Sequence, residues 1–235
     1  MVSGTLSLSS RRAPARQSNR TSADSLFEKG MGGCEIRKTF MTPTLKLPLA
    51  FDTKDLQGDL ANFSSADWVP HFNIHYYEGD WSGIALRAPN NGRVDLFPDP
   101  EAKSFVDTPA IDKCPSVRAV LSKFECETQS VRFLRLLPGS KIRHHRDYEL
   151  SLEDGLARVH IPVRTSTEVE FYLDGKRIEM NEGEAWYLNF NLYHSVENNG
   201  RDERVHLVID CVVNDWFRSF FREKNQAQYF LSSDR

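Results

Sequence analysis

Three side chains of the types that bind transition metals occur in the order histidine, aspartate, histidine. His145 and Asp147 are two residues apart, and His194 follows further along the chain. Since alternate residues of a β-strand point to the same face, His145 and Asp147 would share one face, while His144 would point to the other. Two histidines and one carboxylate form a facial triad that suits Fe(II). We therefore predict that His145, Asp147 and His194 hold one Fe(II) ion.

An arginine near the second histidine indicates what else this site binds. Arg204 lies ten residues after His194 and begins an otherwise apolar segment. A buried charge without a partner is costly, and the planar guanidinium suits a carboxylate, so we expect Arg204 to bind an acidic cosubstrate. The alternative is that Arg204 is exposed at a strand edge, or that it pairs with Asp210 or Glu203.

A second polar pair, Arg158 and His160, lies on another apolar segment. The two residues share a face by the period of two, whereas their neighbours are apolar. One interpretation is that both face the cavity and contact a dicarboxylate. The other is a structural network that includes Asp147 or Asp210, and the sequence does not decide between them.

The segments that carry these residues alternate between apolar and polar positions, which is the pattern of β-strands. The clearest hairpin is predicted over 169–180, where Asp174 and Gly175 suit a type I′ turn. A second hairpin is predicted between 71–77 and 82–87, and its turn would contain Trp81.

Helices are few in the predicted fold. Amphipathic spacing predicts one helix from Ser116 to Phe124 and another over 215–228. Many short strands with an outer helical layer predict a mainly β fold. We expect a double-stranded β-helix, which is a barrel of the jelly-roll or cupin type, with flanking α-helices.

The composition limits the class of protein. The 235 residues carry a formal net charge of -3, which favours neither nucleic acid nor a membrane surface as a partner. Residues 1–42 are rich in serine, arginine and glycine and are predicted to be a flexible arm, whereas 43–235 are predicted to form a single folded domain. Four cysteines without close spacing are read as free thiols, and we expect a cytoplasmic protein. The oligomeric state is left open.

Several of these motifs occur together and in one order. They are Leu137-Pro138-Gly139, His145-Arg146-Asp147, Arg158-Val159-His160-Ile161-Pro162, Gly183-Glu184-Ala185-Trp186, His194-Ser195-Val196-Glu197-Asn198 and Arg204-Val205-His206-Leu207-Val208-Ile209-Asp210. As an ordered set, over roughly residues 70–213, they resemble the aspartyl/asparaginyl β-hydroxylase family of Fe(II)/2-oxoglutarate dioxygenases, which includes bacterial cis-proline hydroxylases.

The resemblance implies an activity and a set of roles. The implied reaction uses dioxygen and 2-oxoglutarate to hydroxylate an aliphatic C–H of an amino acid or amino-acid residue, with release of succinate and CO2. It implies that His145, Asp147 and His194 bind Fe(II), that Arg204 binds the distal carboxylate of 2-oxoglutarate, and that Arg158 and His160 lie near this cosubstrate. Asp147 completes the triad and argues against halogenation, which needs that position free for halide.

The substrate would be a small amino-acid-like molecule or a peptide. The candidates for contacting it are Trp81, Arg87 and Arg135, although packing or a surface ion pair would also explain each of them. The alternative function is a non-oxidative cupin, either an isomerase or a metal-binding protein, which would leave Arg204 without a role.

Overall fold

The computed structural model describes residues 42–91, 96 and 102–222. Its helices and strands are β1 (Thr44–Ala50), α1 (Thr53–Leu60), β2 (Val69–Pro70), β3 (Tyr77–Glu78), β4 (Trp81–Pro89), β5 (Phe105–Asp107), α2 (Pro115–Leu121), β6 (Thr128–Leu136), β7 (Lys141–His145), β8 (Leu156–Arg164), β9 (Val169–Leu173), β10 (Lys176–Arg177), β11 (Glu184–Leu188), β12 (His194–Asn198) and β13 (Arg204–Val212). Residues 215–222 are also helical.

The strands form two antiparallel sheets. The larger sheet has eight strands in the order β1-β11-β8-β13-β6-β4-β2, with β5 paired to β4. The smaller sheet has five strands in the order β10-β9-β12-β7-β3. From β6 to β13 the chain alternates between the two sheets, as in a jelly roll, except that β9 and β10 form a hairpin within the smaller sheet. The predicted double-stranded β-helix with flanking helices is confirmed.

The central strands of the larger sheet are buried on both faces. One face packs against the helices in an apolar cluster that includes Val205, Leu207 and Phe217. The other face packs against the smaller sheet in a second cluster, which includes Val208 and Phe190. Because both faces are covered, eight of the nine residues of β13 are buried, and the strand lacks the alternation of a half-exposed strand.

The two predicted hairpins have different outcomes. Over 169–180 the hairpin is confirmed: Lys176 pairs with Leu173, and both Asp174 and Gly175 have positive φ, as a type I′ turn requires. The prediction that 71–77 and 82–87 form a hairpin is wrong. β3 joins the smaller sheet through β7, whereas β4 joins the larger one through β6, so the segment between them crosses from one sheet to the other.

The predicted helices are found where the structure describes them. α2 covers most of the helix predicted from Ser116 to Phe124, and the last helix is described as far as residue 222. The predicted arm, 1–42, lies outside the described residues except for its last residue, so the division into arm and domain stays a prediction. In the described part of the chain, no helix has the length and apolarity to cross a membrane.

Candidate metal and anion site

The two histidines of the predicted triad face each other across neighbouring strands. His145 is the last residue of β7 and pairs with His194, the first residue of β12. The next pair is Ile142 with Val196, so β7 carries one extra residue, a β-bulge. The bulge turns the buried His145 to the same side as Ile142 and leaves His144 exposed, where it stacks on Tyr193.

Asp147 reaches the histidines from a loop. β7 ends at His145, so the strand alternation used in the prediction does not extend to Asp147. Instead, the backbone N–H of Asp147 donates to the carbonyl of Phe190 at 3.0 Å, which fixes the loop at this point. One ligand atom of each of His145, Asp147 and His194 lies within 4.8 Å of the others.

Hydrogen bonds determine which ring nitrogen each histidine offers. Nδ1 of His145 lies 2.7 Å from the carbonyl oxygen of Arg143, and Nδ1 of His194 lies 3.1 Å from that of Leu192. A carbonyl oxygen can only accept, so each Nδ1 carries the hydrogen and each Nε2 keeps its lone pair. Burial lowers the pKa of His194 to about 4, so the ring stays neutral, as a metal ligand must be.

Asp147, which is partly buried, belongs to a network of charges. Arg158 donates from Nη1 to Asp147 at 2.7 Å and from Nε to Asp210 at 2.6 Å. Arg132 donates to the same Asp210 at 3.0 Å. Burial alone would raise the pKa of Asp210, but the two guanidiniums outweigh burial and lower it to about 2. Asp147 is therefore oriented by an arginine that a second carboxylate holds in place.

Arg204 lines the same cavity and has no carboxylate partner among the residues that the structure describes. Its side chain donates from Nη2 to Nδ1 of His206 at 2.9 Å, and burial lowers its pKa to about 9. Glu203, the alternative partner, pairs with Arg164 instead. Nδ1 of His160 lies 3.2 Å from Nδ1 of His206. Because a guanidinium can only donate, His206 is the acceptor and His160 carries its hydrogen on Nδ1.

Unpaired polar atoms concentrate at this site. Four buried side-chain nitrogens have no hydrogen-bond partner in the described part of the chain, and three of them belong to residues that line the cavity: Trp81 Nε1, His160 Nε2 and Arg204 Nε. An unpaired buried donor or acceptor is costly, so such atoms indicate a place for a polar ligand.

The cavity between the two sheets brings together most of the predicted residues. Its volume is about 390 Å³, and its walls include all six predicted metal and cosubstrate residues together with Trp81 and Arg87. Trp81 stacks on His71 with ring centroids 3.5 Å apart. Arg87 is bound to Asp107 at 2.8 Å.

Arg135 does not belong to this cavity, which corrects the prediction. It pairs with Val205 across β6 and β13, so it shares the outer face with Val205, opposite to the face of Arg204. Its guanidinium lies over the ring of Trp68 at 4.2 Å and donates to Ser82 at 3.2 Å.

Three residues of the site are not among the predicted site residues. Asp210 is predicted only as a partner of Arg158 or Arg204, although it lies an even number of positions after Arg204 and therefore shares its face. Arg132 and His71 carried no such signal. Arg132 faces the cavity because β6 and β13 pair in a register that places it opposite Val208.

The chain resembles known hydroxylases in sequence. The model of the aspartyl/asparaginyl beta-hydroxylase family matches residues 52–213. An L-proline cis-4-hydroxylase from Rhizobium meliloti (strain 1021) is 25% identical over 178 residues, which amount to 75% of this chain and 63% of that protein. The chain thus matches less than two thirds of the length of this curated relative.

Solved structures of similar shape include two enzymes. An oxidoreductase of the 2OG-Fe(II) oxygenase family from Burkholderia pseudomallei is 16% identical, with a TM-score of 0.47 over 72% of this chain and 85% of that chain. A prolyl-4-hydroxylase from Pseudomonas putida is 14% identical, with a TM-score of 0.45 over 73% of this chain and 93% of that chain.

The fold and the site define a double-stranded β-helix protein with a candidate His–Asp–His metal site. The family match covers more than half of the 235 residues and includes every residue of that site. The chain belongs to the aspartyl/asparaginyl β-hydroxylase family.

Proposed function

We propose that the protein is an Fe(II)/2-oxoglutarate-dependent dioxygenase. The reaction would hydroxylate an aliphatic C–H of an amino acid or amino-acid residue, of the aspartate, asparagine or proline type, and release succinate and CO2. The observation that carries the proposal is that one cavity holds a His–Asp–His cluster and a buried arginine, Arg204, for which the described part of the chain offers no carboxylate partner.

The residues of the site fit both bound groups. His145, Asp147 and His194 are the donor set that non-haem Fe(II) sites use, and the free Nε2 atoms suit a metal. Arg204 would bind the distal carboxylate of 2-oxoglutarate, which would supply the anion that its guanidinium lacks. Iron with 2-oxoglutarate supplies the oxidising chemistry when bound.

The chain's own residues prepare the site in three ways. The carbonyls of Arg143 and Leu192 hold the ring orientation of the two histidines. Arg158 holds the carboxylate of Asp147 in place through a hydrogen bond from Nη1. Apolar walls exclude water from the reacting C–H; they come from both sheets and include Leu134, Ile142, Phe171, Phe190 and Val196.

The choice of substrate rests on sequence similarity. The name of one relative, the L-proline cis-4-hydroxylase from Rhizobium meliloti, specifies a free amino acid, so L-proline and its analogues are the first compounds to test. A peptide substrate is the second possibility.

The cytoplasmic location and the single domain over 43–235 stay predictions.

The two neighbouring histidines provide a matched test of the metal site. His145→Ala or Asp147→Ala should abolish succinate formation from 2-oxoglutarate, because the Fe(II) ion loses a ligand. His144→Ala should keep it, because His144 is exposed and stacks on Tyr193. Succinate release would be measured with each purified variant. Succinate formation by Asp147→Ala at the wild-type rate would exclude the assigned ligands.

A spectroscopic titration separates this function from the alternative, a non-oxidative cupin. Adding 2-oxoglutarate to the anaerobic Fe(II) protein should produce a metal-to-ligand charge-transfer band. Arg204→Met should weaken the binding of 2-oxoglutarate by about 10- to 100-fold, since a charge-assisted bond is lost. If wild-type protein shows no band at saturating 2-oxoglutarate, the cupin function is favoured.

A further inference from the structure

The buried charges of the cavity do not cancel. Three buried or nearly buried arginines, Arg132, Arg158 and Arg204, face two aspartates, Asp147 and Asp210. The two positive charges of Fe(II) and the two negative charges of 2-oxoglutarate would offset each other in the loaded enzyme. One positive charge therefore remains in either state, and an uncompensated charge in such a place is costly.

Two of the three arginines have other carboxylates to bind. Arg204 would bind 2-oxoglutarate in the proposed function. Arg158 directs Nη1 to Asp147, and both Nε and Nη2 to Asp210, so its hydrogen-bonding capacity is largely used. The charge that lacks a counterion is thus best assigned to the third arginine, Arg132.

Two nitrogens of the Arg132 guanidinium are available to bind a ligand. Within the described part of the chain its hydrogen bond runs from Nη1 to Asp210, at 3.0 Å, and leaves Nε and Nη2 without a protein acceptor. Its side chain is 13% exposed, and it lines the cavity from β6. A guanidinium with one edge held by Asp210 and another edge unpaired is oriented to bind a second carboxylate.

The surroundings of Arg132 include an aromatic wall. His71, stacked on Trp81, lines the same cavity as Arg132. Burial, and then the charge of Arg132, lower the pKa of His71 to about 3, so His71 is neutral. A flat, neutral wall near a cation suits a small molecule that combines an apolar body with an anionic group.

The other cationic residues of the cavity are less suited to this role. Arg87 is bound to Asp107 at 2.8 Å and to the hydroxyl of Thr128 at 2.6 Å. Arg146 is exposed, and its guanidinium lies over the ring of Tyr148 at 4.7 Å.

We propose that Arg132 binds a carboxylate of the substrate, so that the enzyme selects substrates that carry a carboxylate. The proposal rests on the proposed function, since it concerns the same cavity. The carboxylate has two sources: the α-carboxylate of a free amino acid, or the side chain of an aspartate within a peptide. Arg132 therefore determines specificity, and Asp210 positions its guanidinium.

Paired ligands test the charge requirement. L-Proline and a panel of free L-amino acids would be compared with their C-terminal amides, and a capped aspartyl peptide with its asparaginyl counterpart. Binding would be measured by calorimetry and by the shift of the charge-transfer band of the anaerobic Fe(II)–2-oxoglutarate protein. At least one acid should bind about 10- to 100-fold more tightly than its amide. The pair that shows the difference identifies the source of the carboxylate.

Two arginines of β6 supply the variant and its control. Arg132→Met should reduce the preference for acid over amide to nearly nothing, while Arg132→Lys should retain part of it. Arg135→Met should bind as wild type, because Arg135 lies on the outer face of the same strand. All three variants should still give the charge-transfer band with 2-oxoglutarate, which shows that each is folded and keeps its cosubstrate site.

The possible failures are distinct. A wild-type protein without a charge-transfer band contradicts the proposed function, and calorimetry of the metal-free protein then still tests carboxylate binding at Arg132. An acid that binds no better than its amide in wild type overturns the role of Arg132. So does an acid preference that survives in Arg132→Met, or a panel in which no carboxylate binds.

Discussion

Arg158 contacts two carboxylates of the chain. Its bonds to Asp147 and Asp210 correspond to the structural network that the sequence left open. Burial lowers the pKa of Arg158, but the two aspartates outweigh this effect and raise it, so the side chain is firmly charged. We infer that Arg158 is a positioning residue for Asp147, and that its effect on 2-oxoglutarate is indirect.

Replacing Arg158 should therefore weaken metal binding. In Arg158→Met the carboxylate of Asp147 loses the bond that orients it, and we expect metal affinity to fall by about 10- to 100-fold, as is usual for residues that hold a ligand in place. Affinity would be measured by anaerobic calorimetry with Fe(II).

The control for this prediction lies on the same strand. Arg164→Met removes an arginine from the end of β8 that pairs with Glu203 away from the His–Asp–His cluster. This variant should bind Fe(II) as wild type does. An Arg158→Met protein with unchanged affinity would contradict the positioning role.

The sequence indicates which residues face the cavity on one strand but not on another. On β13, Arg204 and Asp210 are an even number of positions apart, so the strand period of two places them on the same face. For β6 the same period separates Arg132 from Arg135 but does not say which of them faces the cavity, because both faces of the sheet are buried. The register between β6 and β13 decides this, and it is a long-range property that local patterns do not contain.

At the scale of single elements, two glycines show what the turns require. Gly183 and Gly175 both have positive φ, which is strained for other residues. Gly183 is buried, and a methyl group there would overlap the carbonyl oxygen of Phe51. At Gly175, in the hairpin turn, a methyl group would meet open space.

The two alanine substitutions should therefore differ in cost. Gly175→Ala should lower the free energy of unfolding by about 1 kcal/mol, from backbone strain alone. Gly183→Ala should lower it by about 3 kcal/mol or more, because the backbone at Phe51, just after β1, must also shift. Urea denaturation of both variants measures the difference. Equal costs would show that the contact with Phe51 relaxes freely.

Elements with local signals were predicted well, and those defined by distant partners were not. The hairpin over 169–180 is specified by its own turn residues, Asp174 and Gly175. The segments at 71–77 and 82–87 both have strand-like composition, but nothing local to them says that they join different sheets. The β-bulge next to His145 likewise has no local signal in the sequence.

For the molecule as a whole, buried neutral histidines should make stability depend on pH. Burial lowers the pKa of His71 to about 3 and that of His194 to about 4, and it holds the pKa values of His160 and His206 well below 6.5. In the unfolded chain each would titrate near its ordinary pKa of about 6.5. Below that pH the unfolded state binds protons that the folded state excludes.

The stability of the metal-free protein should accordingly fall as the pH is lowered from about 6.5 towards 4, by at most about 1.4 kcal/mol per pH unit for each histidine. Urea midpoints at about pH 7, 6 and 5 would measure this slope. His71→Gln should reduce the slope, and His144→Gln, at an exposed position, should leave it unchanged. A stability that is flat over this range would contradict the neutral state of these side chains.

The halves of the site belong to different sheets. His145 and His194 lie on the smaller sheet, whereas Arg204 and Arg158 lie on the larger one, with the second apolar cluster between them. A cosubstrate that reaches from the metal to Arg204 would link the two sheets. Binding of the metal and cosubstrate would therefore reduce the opening fluctuations that separate the sheets. Amide hydrogens of β7 and β12 should then exchange with solvent more slowly once metal and cosubstrate are bound.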